Sequence, residues 1–214
     1  MILYVNGDSN SNGAEINNSS NSWPHILANR LGFTLINEAK SGTSNPRILR
    51  TSSNTIAHSD KNTLVIIGWT SWEREEWFHQ AQYYDVNSGG HDKLPPELEQ
   101  RYKEWVVKQG PDEQGIKSRQ THQQIHRLHR SLLDRHIPHV FFNALMPFQH
   151  NLIDPVQLAW HKNYIGPYDN ELSYYQYLKD LGFKPTKNNH HLESAQEAWA
   201  DFLYRHIKEK ELVP

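Results

Sequence analysis

The chain has 214 residues, with 22 basic and 24 acidic side chains for a formal charge of -2, and no cysteine. So balanced a charge gives no general electrostatic basis for binding nucleic acid or an anionic membrane surface, and without cysteine there are no disulfides, thiolate metal sites or cysteine nucleophiles. Hydrophobic residues are 36% and mean hydropathy is -0.80, offset by an aromatic share of 11%; one core with long polar excursions is expected, in a single domain over 1–214.

Ile2–Val5 reads as a strand ending at Gly7, and the Asn/Ser-rich stretch 9–22 follows it. Residues 1–6 are too short for a signal peptide and lack a basic start, and no apolar stretch reaches membrane-spanning length, so a cytoplasmic protein is expected (host cytoplasm if virus-encoded). Ser22–Leu31 has helical spacing, with Pro24 in its first turn and Gly32 just past its end. Phe33–Ile36 is a second short strand, Asn37–Asn45 a loop and Pro46–Ala57 a helix. Thr63–Ile67 is apolar without alternation, as suits a central parallel strand buried on both faces, and Gly68 ends it.

Residues 72–115 mix aromatics and charges without a clear period, apart from a helix near Glu97–Lys108. They read as an insertion packed over the sheet edge. Ile116–His136 is a long helix, His139–Asn143 another strand, and 144–168 a long loop with three prolines. Leu172–Leu181 and Glu193–Lys208 are the last helices. This alternation predicts a three-layer α/β/α, flavodoxin-like sandwich on a parallel sheet of four or five strands.

Ligands of such sheets bind beyond the carboxyl ends of the strands. The segments expected there are Gly7–Asn10, Asn37–Asn45, Gly68–Ser71 and Asn143–Pro147. A serine nucleophile needs a base, a group to orient that base and donors for an oxyanion. Ser9 fits the nucleophile, His191 the base with adjacent His190 as its rival, and the backbone N–H groups of Ser9 and Gly42 the donors. The competing reading is that Gly-Asp-Ser-Asn is turn chemistry, with Asp8 capping local N–H groups.

Gly7-Asp8-Ser9-Asn10, the Gly42 loop, Leu64–Thr70 and His191-Leu192 before an amphipathic helix resemble, in order, the four blocks of the SGNH (GDSL-like) hydrolases. The resemblance covers most of the chain outside 72–115 and 144–168. It implies an SGNH-type fold and ester hydrolysis on a small-molecule or carbohydrate ester, at an O-acyl group, with no metal or organic cofactor. The compact length and the Asn/Ser-rich first loop also resemble SGNH-like proteins carried by large tailed phages.

Two positions depart from the family pattern. Thr70 stands where the family has its oxyanion asparagine, with Asn45 and Asn143 as possible substitutes. Asn188 stands where it has the triad aspartate; an equivalent swap in a chymotrypsin-type triad costs about 10⁴ in kcat. Asp169 and Asp154 are the candidate carboxylates in its stead. Asn10, Trp69, Trp72 and His190 are candidate substrate contacts. The aromatic group Trp69, Trp72, Trp77, Phe78, Tyr83 and Tyr84 can stack on a sugar, line an acyl pocket or simply pack the insertion. His122, His126 and His129 share a helix face, which fits a zinc site less well than a solvated polar face. The departures leave two further functions open: a catalytically weakened module binding a glycan or a protein, and an acyl or group transferase using the same cleft.

Overall fold

The computed structural model describes residues 1–90, 93–148 and 159–213. In chain order it has β1 (Ile2–Asn6), α1 (Ser9–Asn12), α2 (Trp23–Leu31), β2 (Thr34–Asn37), α3 (Asn45–Ala57), β3 (Thr63–Trp69) and a hairpin of β4 (Glu75–His79) and β5 (Gln82–Val86). There follow α4 (Glu99–Val107), α5 (Pro111–Asp134), β6 (His139–Asn143), β7 (Tyr164–Ile165), α6 (Tyr174–Asp180) and α7 (Glu193–Glu209). The central sheet has the order β2-β1-β3-β6-β7, and its neighbouring strands pair in parallel.

Strand alternation sorts the core into two layers. Leu3, Val5, Leu64, Ile66, Val140 and Phe142 point to one face, where Trp23 and Leu27 of α2, Leu178 of α6 and Trp199 and Leu203 of α7 cover them. Tyr4, Val65, Ile67 and Phe141 point to the other, under Ile48 and Ile56 of α3 and Ile125, Leu128 and Leu132 of α5. All of β3 is buried, because strands flank it on both sides and helices lie over both faces. This is a three-layer α/β/α fold on a five-stranded parallel sheet. No helix among the described residues is long and apolar enough to cross a membrane.

The insertion contains the antiparallel hairpin β4–β5, with Trp77, Val86, Leu98, Tyr102 and Trp105 forming a separate apolar cluster. Beside that cluster the Glu75 carboxylate accepts hydrogen bonds from the indole N–H groups of Trp77 (2.7 Å) and Trp105 (2.8 Å) and pairs with Lys117 of α5 at 2.6 Å. Burial alone would raise the Glu75 pKa; Lys117 and the two indoles outweigh it and hold it below the usual value.

The histidine face of α5 differs from the solvated face expected. His122 and His129 are buried against the segment after residue 158, with Trp160 and Tyr168 around His122. His139 Nδ1–H donates to the Ile137 carbonyl at 2.9 Å, which leaves its Nε2 to accept from His129 Nδ1–H at 2.8 Å. Among the described residues no three His, Asp or Glu side chains are arranged to hold a metal ion.

Two predictions follow from this packing. Burial lowers the pKa of His122, His129 and His139 from 6.5 to about 4, so the unfolded chain takes up these protons first. Stability is then complete above about pH 6.5 and is lost as pH falls toward 4, by on the order of 1–2 kcal/mol per histidine at pH 5. Urea midpoints at pH 7 and pH 5 check this, and equal midpoints would contradict it. The second concerns Gly7, which links β1 to α1 at φ +155°; a Cβ there would lie 2.5 Å from Ser11 Oγ and 3.0 Å from the Gly68 carbonyl. Gly7→Ala is expected to cost roughly 1–3 kcal/mol, read as a lower urea midpoint.

Candidate active site

The parallel strands deliver their loops to one edge, and backbone hydrogen bonds hold those loops together. Lys40 N–H donates to the Gly7 carbonyl (3.0 Å), Ala144 N–H to the Trp69 carbonyl (2.7 Å) and Tyr175 N–H to the Ala144 carbonyl (3.1 Å). Asp8 caps α1, its carboxylate accepting from Asn10 N–H at 3.0 Å and from the Thr70 hydroxyl at 3.3 Å. Ser9 therefore begins a short helix at the tip of β1, partly exposed. Among the described residues no hydrogen bond engages its hydroxyl or its backbone N–H, nor the backbone N–H of Gly42. Gly42 turns its loop at φ +74°, a conformation that favours glycine.

His191 precedes α7 and is fully buried, its ring against Tyr174 and Tyr175 at centroid distances of 5.8 and 5.4 Å. Neither ring nitrogen has a hydrogen-bond partner among the described residues. Burial lowers its pKa; the nearby Tyr175 backbone carbonyl works in the opposite direction without reaching hydrogen-bond geometry. Gln196 of α7 fixes the backbone here: its amide N–H groups donate to the His191 carbonyl (3.0 Å) and the Tyr174 hydroxyl (2.8 Å), and its carbonyl accepts from Trp23 N–H (3.0 Å). Asn10 Oδ1 and Ser11 Oγ, in the short helix α1 that Ser9 begins, are also buried without a partner among the described residues. Buried polar atoms are seldom left so, and those left over often belong to binding or catalytic sites.

Several candidate residues lie elsewhere than expected. Asn188 does not back His191: it is exposed, and its amide donates to Glu15. Glu15 also accepts from the Thr186 hydroxyl and lies 3.3 Å from His190 Nδ1. The hydrogen bonds from Thr186 and Asn188 hold the Glu15 carboxyl below its usual range, with His190 adding to them. His190, the rival base, is thus tied to a surface carboxylate. Asp169 is exposed and accepts from Glu171 N–H in a turn, while Asp154 lies outside the described residues. The Thr70 hydroxyl is engaged by Asp8, and both backbone groups of Thr70 are paired with the Asn45 side chain. Asn143 bonds Pro167 and Tyr164. Trp69 and Trp72 are buried, Trp69 edge-on to Phe141 and Trp72 stacked on Phe148, so neither presents a ring to substrate. Glu15, Tyr175 and Gln196 were not expected in the site region; Glu15 and Asn188 are 173 positions apart, and nothing local in the sequence links them.

The fold is similar to that of TesA, with a TM-score of 0.56 at 14% identity and all of both chains covered. It is also similar to EstA, a psychrotrophic esterase from Pseudoalteromonas sp. in a structure inhibited by monoethylphosphonate, with a TM-score of 0.53 at 12% identity and 97% of each chain covered. At these identities the likeness is one of fold alone, the α/β/α arrangement described above. No curated protein matches the sequence. The chain belongs to the family described as DUF6071, a family of unknown function, whose model matches residues 4–213.

Proposed function

We propose that the chain is a serine ester hydrolase of SGNH type, with Ser9 as nucleophile and His191 as general base. The observation that carries this reading is a pair of uncommitted groups on adjoining loops. One is the Ser9 hydroxyl at the tip of β1; the other is the buried His191 imidazole, both of whose nitrogens lack a partner among the described residues. In the reaction, Ser9 Oγ bonds the acyl carbon while His191 takes the hydroxyl proton. The tetrahedral oxyanion is held by the N–H groups of Ser9 and Gly42. His191 then protonates the departing alcohol, and water, deprotonated by the same ring, releases the acid and restores Ser9. The two side chains are not hydrogen-bonded in the free protein and come together when substrate binds, as catalytic groups often do.

Among the described residues no carboxylate partners His191, and the Tyr175 carbonyl is the acceptor available to orient it. Turnover is correspondingly slow, since charge stabilisation of the imidazolium is missing. The same feature, with the Thr70 hydroxyl engaged by Asp8, favours a second reading: an SGNH-fold module that binds a glycan or protein partner without turnover.

Release of 4-nitrophenol from 4-nitrophenyl acetate separates the two. On the hydrolase reading, wild type turns over, Ser9→Ala and His191→Ala each lose at least about 10³-fold, and Asn188→Ala and Asp169→Ala stay within about threefold, as befits their surface positions. Wild type indistinguishable from Ser9→Ala contradicts it. The pH profile is a separate check. With its pKa lowered by burial, His191 stays neutral and competent as a base to below pH 6.5. kcat/KM is expected to fall only on the acid side of that value; an inflection above pH 7 would point to a different base.

A further inference from the structure

Of the six aromatics between 69 and 84, Trp69, Trp72 and Trp77 are buried and Tyr84 is half-buried, whereas Phe78 and Tyr83 are 60% and 47% exposed. These two oppose one another across the β4–β5 hairpin with ring centroids 4.8 Å apart. Arg50 of α3 lies over the Tyr83 ring at 4.0 Å. The result is a fixed aromatic step that is left open to solvent.

Tyr83 also lines a cavity of about 260 Å³ between β5 and the Gly42 loop. Tyr84 also lines it, and the remaining side chains of the lining are polar. Ser41, Gln82 and Asn87 supply hydroxyl and amide groups, Lys40 and Asp85 form an ion pair at 2.9 Å, and Lys93 completes the lining. No aliphatic side chain lines it among the described residues. A hydrocarbon acyl chain would strip water from these groups and return no hydrogen bonds. A sugar ring complements these walls: its hydroxyls donate to and accept from them, and its apolar C–H face suits an aromatic ring.

The cleft is built in advance of any ligand. Asp85 accepts from Ser44 N–H at 3.2 Å and lies 3.3 Å from the hydroxyls of Thr43 and Ser44. Asn87 Nδ2 donates to the Gly42 carbonyl at 3.1 Å. Arg50 grips Glu76 with two hydrogen bonds of 2.8 and 2.6 Å. The hairpin is thereby fastened to the loop that carries the Gly42 N–H, and little ordering is left for binding.

We infer that the hairpin and the Gly42 loop form a saccharide subsite, which holds the sugar that bears the ester and makes the alcohol side of the substrate a carbohydrate. Its orientation toward Ser9 rests on the hydrolase reading; the binding itself does not.

The test uses the full-length Ser9→Ala chain, which holds substrate without consuming it. Saturation-transfer NMR would follow partially O-acetylated xylo-, manno- and gluco-oligosaccharides, with sodium decanoate as the hydrocarbon probe. Saccharide binding is expected and decanoate binding is not. Adding Tyr83→Ser should weaken saccharide binding at least about tenfold, while Tyr83→Phe, which keeps the ring, restores it. Absence of saccharide binding, or binding unmoved by Tyr83→Ser, overturns the subsite. Saccharide binding without hydrolysis by wild type upholds the subsite and instead overturns the hydrolase reading.

Discussion

Every strand of the central sheet runs in the same direction, and the site follows from that constraint. Residues 7, 42, 70 and 144 are far apart in the chain, yet each follows a strand that ends at the same edge. The hydrogen bonds Lys40 to Gly7, Ala144 to Trp69 and Tyr175 to Ala144 then bind those loops to one another. The interior of β3 supplies the rigidity: it is buried throughout and flanked by β1 and β6, so the loops that leave its edge rest on the least deformable part of the fold.

The electrostatics of the site separate two neighbouring histidines. His190 is drawn outward to Glu15, and His191 is sealed inward against Tyr174 and Tyr175. Glu15 also explains the asparagine at 188. An amide can donate to that carboxylate, whereas an aspartate would place like charges together and could donate nothing. Asn188 is therefore one half of a pair whose other half lies just after α1. The consequence falls on His191, which among the described residues has burial and the nearby Tyr175 carbonyl in place of a carboxylate. Burial favours the neutral form of its ring.

Much of this was legible in the sequence because it rests on local chemistry. The apolar runs of β1, β3 and β6, the Pro24 and Gly32 boundaries of α2 and the strand-tip position of Ser9 all follow from residue type and spacing. The hairpin was missed because its turn is made by Gln80 and Ala81 at φ 47° and 62°, where Asn-Gly or Asp-Gly is the usual signal. β7 was missed because it has two residues and exists only through pairing with Phe141 and Phe142. The start of α5 lay earlier than its apolar period suggested, at the Gly110-Pro111 boundary. The roles of Glu15, Gln196 and the α5 histidines depend on contacts between distant segments, which periodicity cannot reveal.

The central claim is that Ser9 is a nucleophile activated by His191, and covalent trapping addresses it most directly. The chain would be incubated with a fluorophosphonate, followed by intact mass measurement and peptide mapping, with His191→Ala alongside. The account predicts one adduct per chain, on Ser9, and a large loss of labelling rate in the variant. No adduct, an adduct elsewhere, or Ser9 labelling at the same rate without His191 would contradict it.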